Sequence, residues 1–335
     1  MTKLSQYTTP GIRASQQHEP MILLRVGIHL PQRSHWYRVA DTQLASTTPL
    51  RTLAPYAIEA PSAPEFSANG ARRAPHADPD AWVQRGSARL GHRTVGCAST
   101  TGWLRLRVQG VDDIYVATDG DSTICYDYTT SPAAELETPV VEALVGPALM
   151  LALAAAGRFC LHASAARIQG TLVAFCGDSG AGKSTLAGTG LDGWSRVSDD
   201  ILPVRLDSGR CLALPHYPQL KLAPEVQYPA AAAPKLPVAA LFMLAPPAGG
   251  DLRPVTCRAL TPGQALVNVV RHTVAATLFP PELLGEHLRF CARVAELVPA
   301  YELAYARRWE VLPAVQRIVE QWVAHSTEHV PERYR

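Results

Sequence analysis

The sequence lacks paired cysteines, a run of like charges and an apolar segment long enough to cross a membrane. Its seven cysteines are odd in number and none is spaced as Cys-x-x-Cys, which argues against a disulfide framework and a zinc cluster. The net charge is only +2, so neither nucleic acid nor an anionic membrane is an expected partner. The apolar stretch 143–156 is shorter than the roughly 20 residues that a membrane span needs and is interpreted as a buried helix. Because residues 1–10 contain no export signal core, we expect a cytoplasmic protein.

What the sequence does contain is enough apolar material for a large interior. Of its 335 residues, 47% are hydrophobic and 18% are charged, which is typical of a folded globular protein. Because domains usually contain about 100–200 residues, this length favours two of them. We expect a flexible tail over 1–20, a smaller β-rich domain over 21–131 with a Pro/Ala-rich loop at 60–79, and a second domain over 132–335.

The residue pattern changes near Pro132, from short and mostly antiparallel strands to a mixture of helices and strands. An Ala/Leu-rich helix is predicted over 135–155, followed by a hairpin of strands 160–168 and 171–176. The end of the chain is predicted to be helical, with three helices that each have a proline near the start: 262–270, 281–298 and 311–324. The expected fold class is therefore α/β, of the mixed α+β kind, behind a smaller β-rich domain.

One motif carries most of the functional signal. Residues 177–185 read Gly-Asp-Ser-Gly-Ala-Gly-Lys-Ser-Thr and satisfy GxxxxGK[ST] in full, between a predicted strand and a predicted helix start. Several backbone N–H groups must converge on a crowded phosphate, and the three glycines allow that approach. Lys183 is predicted to reach the β and γ phosphates, and the Ser184 hydroxyl is predicted to bind Mg²⁺. The alternative is a glycine-rich turn that only resembles the motif. The predicted nucleotide-binding residues are Gly177, Asp178, Ser179, Gly180, Ala181, Gly182, Lys183, Ser184 and Thr185.

An acidic pair and a histidine are further candidates. Asp199 and Asp200 follow a short apolar segment one helix beyond the loop, and adjacent residues of an extended segment point to opposite sides. One carboxylate could therefore hold the metal while the other acts as general base towards an acceptor hydroxyl. The alternative for the pair is an Asx turn or a helix N-cap. His162 lies on the preceding strand, where a lone histidine is more often a core residue.

These residues together resemble a known family. The segments Leu161-His162-Ala163-Ser164, the glycine loop and Ser198-Asp199-Asp200 are similar to the catalytic domain of HPr kinase/phosphorylase. Segments 215–222 and 268–273 look like later elements of the HPr-kinase-like proteins encoded in lasso-peptide gene clusters. The resemblance covers roughly residues 136–325, and the loop and the acidic pair carry most of its specificity.

The resemblance implies a protein or peptide kinase on a mixed sheet related to the phosphoenolpyruvate carboxykinase fold. It places His162 in the active site, Asp199 in the position of the proposed base and Asp200 near the metal. Arg271 falls where a basic residue could steady the transferred phosphoryl group, and Lys221 is a weaker candidate of the same kind. The alternative for both cations is a solvated surface charge.

The expected function is ATP-dependent transfer of a phosphoryl group to a Ser/Thr hydroxyl, with ATP and Mg²⁺ as cofactors. The chain lacks the Glu-Ile-Arg-Gly-like signature of the bifunctional enzyme, so the preferred acceptor is a serine of a small protein or ribosomally made precursor peptide, as in the lasso-associated relatives. The alternatives are an ATP-bound regulatory protein without an acceptor and a kinase of a small metabolite. Whether the chain forms a homo-oligomer is left open.

Overall fold

A computed structural model describes most of the chain. The described residues are 21–26, 35–60, 79–118, 123–126, 138–188, 191–219, 235–246 and 255–328. The predicted tail over 1–20, almost all of the predicted loop over 60–79, and Lys221 lie outside them. The described part is a mixed α/β structure built on two eight-stranded sheets, which confirms the predicted mixed class.

The first sheet comes from the front of the chain. Its strands are β1 Met21–Val26, β2 His35–Val39, β3 Thr42–Ser46, β4 Val83–Leu90, β5 Arg93–Thr100, β6 Trp103–Val108, β7 Ile114–Ala117 and β8 Thr123–Tyr126. They lie in the order β2-β3-β1-β8-β7-β6-β5-β4. Neighbours are antiparallel except that β1 pairs parallel with both β3 and β8. The predicted β character of this region, with mostly antiparallel pairing, is confirmed.

The second sheet is mixed. Its strands are β9 Phe159–Ile168, β10 Thr171–Cys176, β11 Trp194–Ser198, β12 Ile201–Asp207, β13 Arg210–Ala213, β14 Leu236–Ala245, β15 Val255–Ala259 and β16 Ala300–Tyr305. The order is β10-β9-β12-β13-β14-β16-β15, with β11 also beside β9 and β14 also beside β10. These pairings close a ring of five strands. Because β10, β14 and β16 are mutually parallel, their carboxyl ends meet at one edge.

The hairpin that joins β9 to β10 forms as predicted. Thr171 pairs with Ile168, so only Gln169 and Gly170 make the turn. Both have positive φ, 47° and 85°. A two-residue hairpin turn of this kind matches the right-handed twist of the strands and favours glycine. The turn thereby sets the register that aligns β9 with the strand before the glycine loop.

The helices are α1 Thr138–Ala143, α2 Leu149–Ala155, α3 Lys183–Gly188, α4 Pro262–Arg271, α5 Pro281–Leu297 and α6 Leu312–Glu328. A π-helical turn, Leu144–Ala148, joins α1 to α2 across a kink at Gly146. Thr261 caps α4, accepting from the Gln264 N–H in a capping box. The predicted helices over 262–270, 281–298 and 311–324 are thus confirmed with small shifts of their ends, and the one over 135–155 is confirmed from residue 138, because 135–137 lie outside the described residues.

The apolar helical segment 138–155 is the one place where the described chain could cross a membrane by length and composition alone. In the fold, 67% of this segment is buried inside the protein. Its second half, α2, contacts β7, β8, β9 and α5. The segment therefore has the burial of a core helix, as predicted for 143–156.

The prediction that the end of the chain is helical throughout was wrong. Strand β15 lies just before the first of the predicted helices, and β16 lies between the second and the third. β16 is buried along most of its length, so its sequence, Ala-Tyr-Glu-Leu-Ala-Tyr, shows little of the polar alternation that marks a half-exposed strand. Its partner β14 is distant in the sequence, which is why no local pattern indicated the pairing.

The two sheets share one hydrophobic core that includes Leu104 of β6, Leu149 of α2 and Leu161 of β9. Polar contacts also join them. Asp41 forms ion pairs with Arg205 and with Lys235, at 3.1 and 2.9 Å. The change of sheet falls near the predicted boundary at 131–132, but the continuous core does not separate two domains, so that boundary stays a prediction.

Candidate functional site

The glycine motif forms the connection from β10 to α3. β10 ends at Cys176, and α3 begins at Lys183. Gly180 and Gly182 have φ of 75° and 97°, in the left-handed region that favours glycine. A Cβ at Gly182 would lie 2.5 Å from the Tyr305 hydroxyl oxygen. The loop conformation and its contact with β16 therefore both depend on glycine at this position.

Lys183 is held inside the loop. Its Nζ donates to the carbonyl oxygens of Gly177, at 2.7 Å, and Asp178, at 3.1 Å. The side chain is only 7% exposed. A buried ammonium group costs free energy unless it has partners, so these carbonyls hold the charge at the centre of the loop. Ser184 and Thr185 follow in the first turn of α3 and are exposed.

The antiparallel register brings β9 to the same place. Cys176 pairs with Ala163 in the last pair of the two strands, so His162 is the next β9 residue at the end from which the glycine loop leaves. On the other side of β9, Ile201 pairs with His162, and the Ala163 N–H donates to the Asp200 carbonyl at 3.1 Å. The strand pairing alone thus places His162 and the acidic pair beside the glycine loop.

Asp199 and Asp200 are the two residues that join β11 to β12. The Asp200 carboxylate lies 3.3 Å from His162 Nε2, and both side chains are partly exposed. Asp199 is buried, and its Oδ1 has no hydrogen-bond partner among the described residues. The two carboxylates therefore differ in burial, and the pair lies in bends between the two strands rather than on an extended segment.

Gln219, which the sequence did not single out, holds the acidic pair in place. The Asp199 N–H donates to Gln219 Oε1 at 3.0 Å. The Gln219 amide nitrogen donates in turn to the carbonyls of Tyr217, at 2.9 Å, and Ile201, at 3.2 Å. Gln219 is buried, so its carboxamide satisfies backbone groups that water cannot reach. Only its place in segment 215–222 could have pointed to it.

Arg271 reaches the loop from the end of α4. Its Nη2 bonds both oxygens of the Asp178 carboxylate, at 3.0 and 2.8 Å. The pair is exposed, with 62% and 71% of the two side chains accessible. Arg271 is therefore at the mouth of the loop, paired to the loop itself.

His272 is a second residue that the sequence did not single out. Its carbonyl accepts from the His162 N–H at 2.7 Å, and its side chain is buried. Its pKa is lowered from 6.5 to about 4, chiefly by burial and in addition by the charges of Arg271, His162 and Lys183, while Asp178 opposes them. A neutral imidazole thus lies among the charged groups of the site.

The described residues contain no cluster of three His, Cys, Asp or Glu side chains able to hold a metal ion by themselves. A magnesium site does not need such a cluster, because Mg²⁺ is usually bound by one or two carboxylates together with substrate phosphates and water. An exposed serine hydroxyl at position 184 and the Asp200 carboxylate are donors of that kind. The residues present fit a magnesium nucleotide rather than a free-standing metal centre.

A cleft of about 550 Å³ lies away from this site. Its walls come from β4–β6 of the first sheet and from the start of α5, and they include Arg85, Trp103, Glu282 and Glu286. None of the loop residues lines it. The cleft and the charged cluster around the loop are therefore separate features of the molecule.

Comparison with known proteins adds little to this geometry. No family model matches the chain, and no curated protein matches it. Among solved structures, the chain is similar to that of the Hpr(Ser) kinase/phosphatase from Coxiella burnetii, with 14% identity and a TM-score of 0.29. The match covers 48% of this chain and 94% of that one. A likeness so distant assigns neither residues nor activity, so the functional case depends on the site itself.

Proposed function

We propose that this chain binds a magnesium nucleoside triphosphate at loop 177–185 and transfers its terminal phosphoryl group to a Ser/Thr hydroxyl of a peptide or small protein. The observation that carries the proposal is the placement of three groups around one loop. Lys183 Nζ is held by the loop carbonyls, and His162 and the acidic pair lie one strand away. That combination supplies a phosphate cradle, a metal ligand and a base.

The loop residues bind the phosphates in this proposal. Backbone N–H groups that converge at Gly180 and Gly182 form a concavity for anions, and Lys183 exchanges its bonds to the loop carbonyls for bonds to phosphate oxygens. Ser184 and Asp200 would hold Mg²⁺, which would supply positive charge to offset the charge of the phosphates. His162 keeps the Asp200 carboxylate oriented through its 3.3 Å contact.

Asp199 acts as the general base in this proposal. Its buried Oδ1 has no partner among the described residues. Burying an unpaired carboxylate oxygen costs free energy, and such atoms often mark a functional site. It accepts the proton of the acceptor hydroxyl as the acceptor oxygen forms a bond to the γ phosphorus. The bond from that phosphorus to the bridging oxygen breaks, and the nucleoside diphosphate leaves.

Arg271 steadies the transferred phosphoryl group. Its present partner, Asp178, is exposed, and exposed ion pairs contribute only about 0–1 kcal/mol. Exchanging Asp178 for a phosphoryl oxygen therefore costs little. The Arg271 guanidinium at the mouth of the loop then stabilises the negative charge that develops on the phosphoryl oxygens during transfer.

The peptide class of acceptor is supported by the motif resemblance. β4 is the last strand of the first sheet, but its edge is covered in part, because the Thr277 hydroxyl donates to the Ser87 carbonyl and Gly86 lies against the Thr277 backbone. The proposal therefore does not depend on strand addition at this edge.

The test is transfer of label from γ-labelled ATP with Mg²⁺ to a panel of serine-containing peptides, including any peptide encoded beside this chain. We expect a labelled peptide from the wild type and none from Lys183→Ala or Asp199→Asn. Asp112→Asn, which changes an exposed aspartate of the first sheet, is the matched control and should retain full activity. Steady phosphate release without a labelled hydroxyl would instead identify a regulatory hydrolase. Label in a small alcohol would identify a metabolite kinase.

A further inference from the structure

The edge where β10, β14 and β16 end is the natural place for the rest of a bound nucleotide. In α/β folds with parallel strands, both open sheets and closed barrels, ligands bind outside the carboxyl ends of those strands. Here Cys176 at the end of β10 pairs with Met243, which pairs in turn with Glu302 of β16. The three ends therefore lie side by side, and the glycine loop follows the first of them.

The loop contacts both neighbouring strand ends. A Cβ at Gly177 would lie 3.1 Å from Leu244 Cβ of β14, and a Cβ at Gly182 would lie 2.5 Å from the Tyr305 hydroxyl of β16. Gly177 begins the loop and Gly182 precedes the helix. Tyr305 at the end of β16 is thus the residue that a Cβ at Gly182 would meet, and the connection to the last helix starts from it.

That connection contains an exposed aromatic side chain between charges. Trp309 is 68% exposed, the highest value among the large hydrophobic residues that the structure describes. Arg307 and Arg308 precede it and are also exposed. The Arg308 N–H donates to the Ala306 carbonyl at 2.8 Å, which turns the chain tightly, and four extended residues span at most about 14 Å. The Trp309 backbone therefore lies within about 14 Å of that of Tyr305, the residue whose hydroxyl reaches the loop.

Arg307 also acts on the residue that contacts the loop. Burial raises the pKa of Tyr305, and the charge of Arg307 lowers it in part. The guanidinium of Arg307 is therefore near the phenol that lies against Gly182. Two cations and an indole at this position are the groups that bind a nucleobase by stacking.

We propose that Trp309, with Arg307 and Arg308, forms the base-binding site of the nucleotide whose phosphates occupy loop 177–185. The inference rests on the proposed function and deepens it, because it assigns the recognition of the base. The indole stacks on the base, and the arginines contact its other face or edge. A purine offers the larger stacking surface, so the site favours purine over pyrimidine triphosphates.

The experiment compares two ligands that share the triphosphate but differ in the base. Equilibrium binding of Mg·ATP and of Mg·tripolyphosphate is measured for the wild type, Trp309→Ala and Trp309→Phe. We expect Trp309→Ala to weaken ATP binding by about tenfold or more and to leave tripolyphosphate binding unchanged. Trp309→Phe should retain most of the ATP affinity because it keeps an aromatic face. Val267→Ala, another exposed apolar side chain, is the control and should bind both ligands as the wild type does.

The outcomes separate this inference from the proposed function. If the wild type binds neither ligand, the phosphate site itself fails. If the wild type binds ATP and Trp309→Ala binds it equally well, the base site is overturned while the phosphate site stands. Equal losses for both ligands in Trp309→Ala would also overturn it, because the effect would then lie on the loop. As a second readout, wild type should prefer ATP over CTP, and Trp309→Ala should lose most of that preference.

Discussion

The two sheets differ in the polar groups that they bury. Around the first sheet the buried polar side chains in the described chain are neutral hydroxyls, namely Thr42, Ser46, Thr47, Ser99 and Thr123. From β9 onwards they include ionisable groups, among them Lys183, Asp199 and His272. A buried hydroxyl needs one partner, whereas a buried charge costs several times more free energy. The difference agrees with the proposed placement of the catalytic site on the second sheet.

Not every buried ionisable group of the second region belongs to the loop. Arg158 lies before β9, and burial, followed by the charge of Arg205, lowers its pKa while Asp41 raises it. His287 forms a buried network with Thr273 at 2.8 Å and Cys291 at 3.0 Å. These groups support the joint between the sheets and the end of α4. The contrast in buried ionisable groups between the two sheets therefore applies chiefly to residues that contact the loop or β9.

The largest expected loss of stability comes from substituting Gly182, and a substitution of Gly91 in the first sheet is the comparison. Gly182→Ala forces a Cβ to a left-handed φ and against the Tyr305 hydroxyl, so we expect a loss of about 3 kcal/mol of unfolding free energy and of all nucleotide binding. Gly91→Ala, in a turn of the first sheet, has φ of 60° and no atom within 4 Å of its Cβ, so only about 1–2 kcal/mol is lost. Denaturant unfolding and ATP titration measure both variants. Equal losses in the two variants would contradict the role of Tyr305 contact.

The next effect depends on pH. His272 has a folded-state pKa of about 4 against 6.5 when exposed, so between these values the unfolded chain binds more protons than the folded one. The part of the unfolding free energy that depends on neutral His272 is fully present above pH 6.5. It falls by at most about 3 kcal/mol as the pH drops towards 4. His272→Asn should flatten the dependence of unfolding free energy on pH in that window. An unchanged slope would show that His272 is not desolvated.

Local chemistry explains what the sequence could predict. The glycine loop, its flanking strand and helix start, and the Gln169-Gly170 hairpin each depend on residues that are adjacent in the chain. The structure brings His162, Asp199, Asp200 and Arg271 to that loop, although their roles stay predictions. The carboxamide of Gln219 and the phenol of Tyr305 were not predicted. Their contacts join segments far apart in sequence, and no periodicity encodes such contacts.

Gln219→Ala is expected to have the third largest effect. It leaves the buried Asp199 N–H without its partner, so we expect a loss of about 1–3 kcal/mol of unfolding free energy. Ser46→Ala removes a hydrogen bond to the Thr48 carbonyl in the first sheet and should cost a similar amount or less. Only Gln219→Ala should also raise the Mg²⁺ concentration needed for half-maximal transfer. The idea fails if both variants leave that concentration unchanged.

The smallest effect on stability should accompany a clear effect on transfer. Arg271 and Asp178 are largely exposed, so Arg271→Ala should change the unfolding free energy by less than about 1 kcal/mol and yet slow phosphoryl transfer. Arg205 and Asp41 join the two sheets with only 19% and 15% of their side chains exposed. Arg205→Ala should therefore cost more stability and leave transfer unchanged. Comparing both variants by denaturant unfolding and by initial transfer rate distinguishes a charge that acts on phosphate from one that holds two sheets together. If Arg271→Ala lowered stability and left the transfer rate unchanged, Arg271 would have no role in phosphoryl transfer.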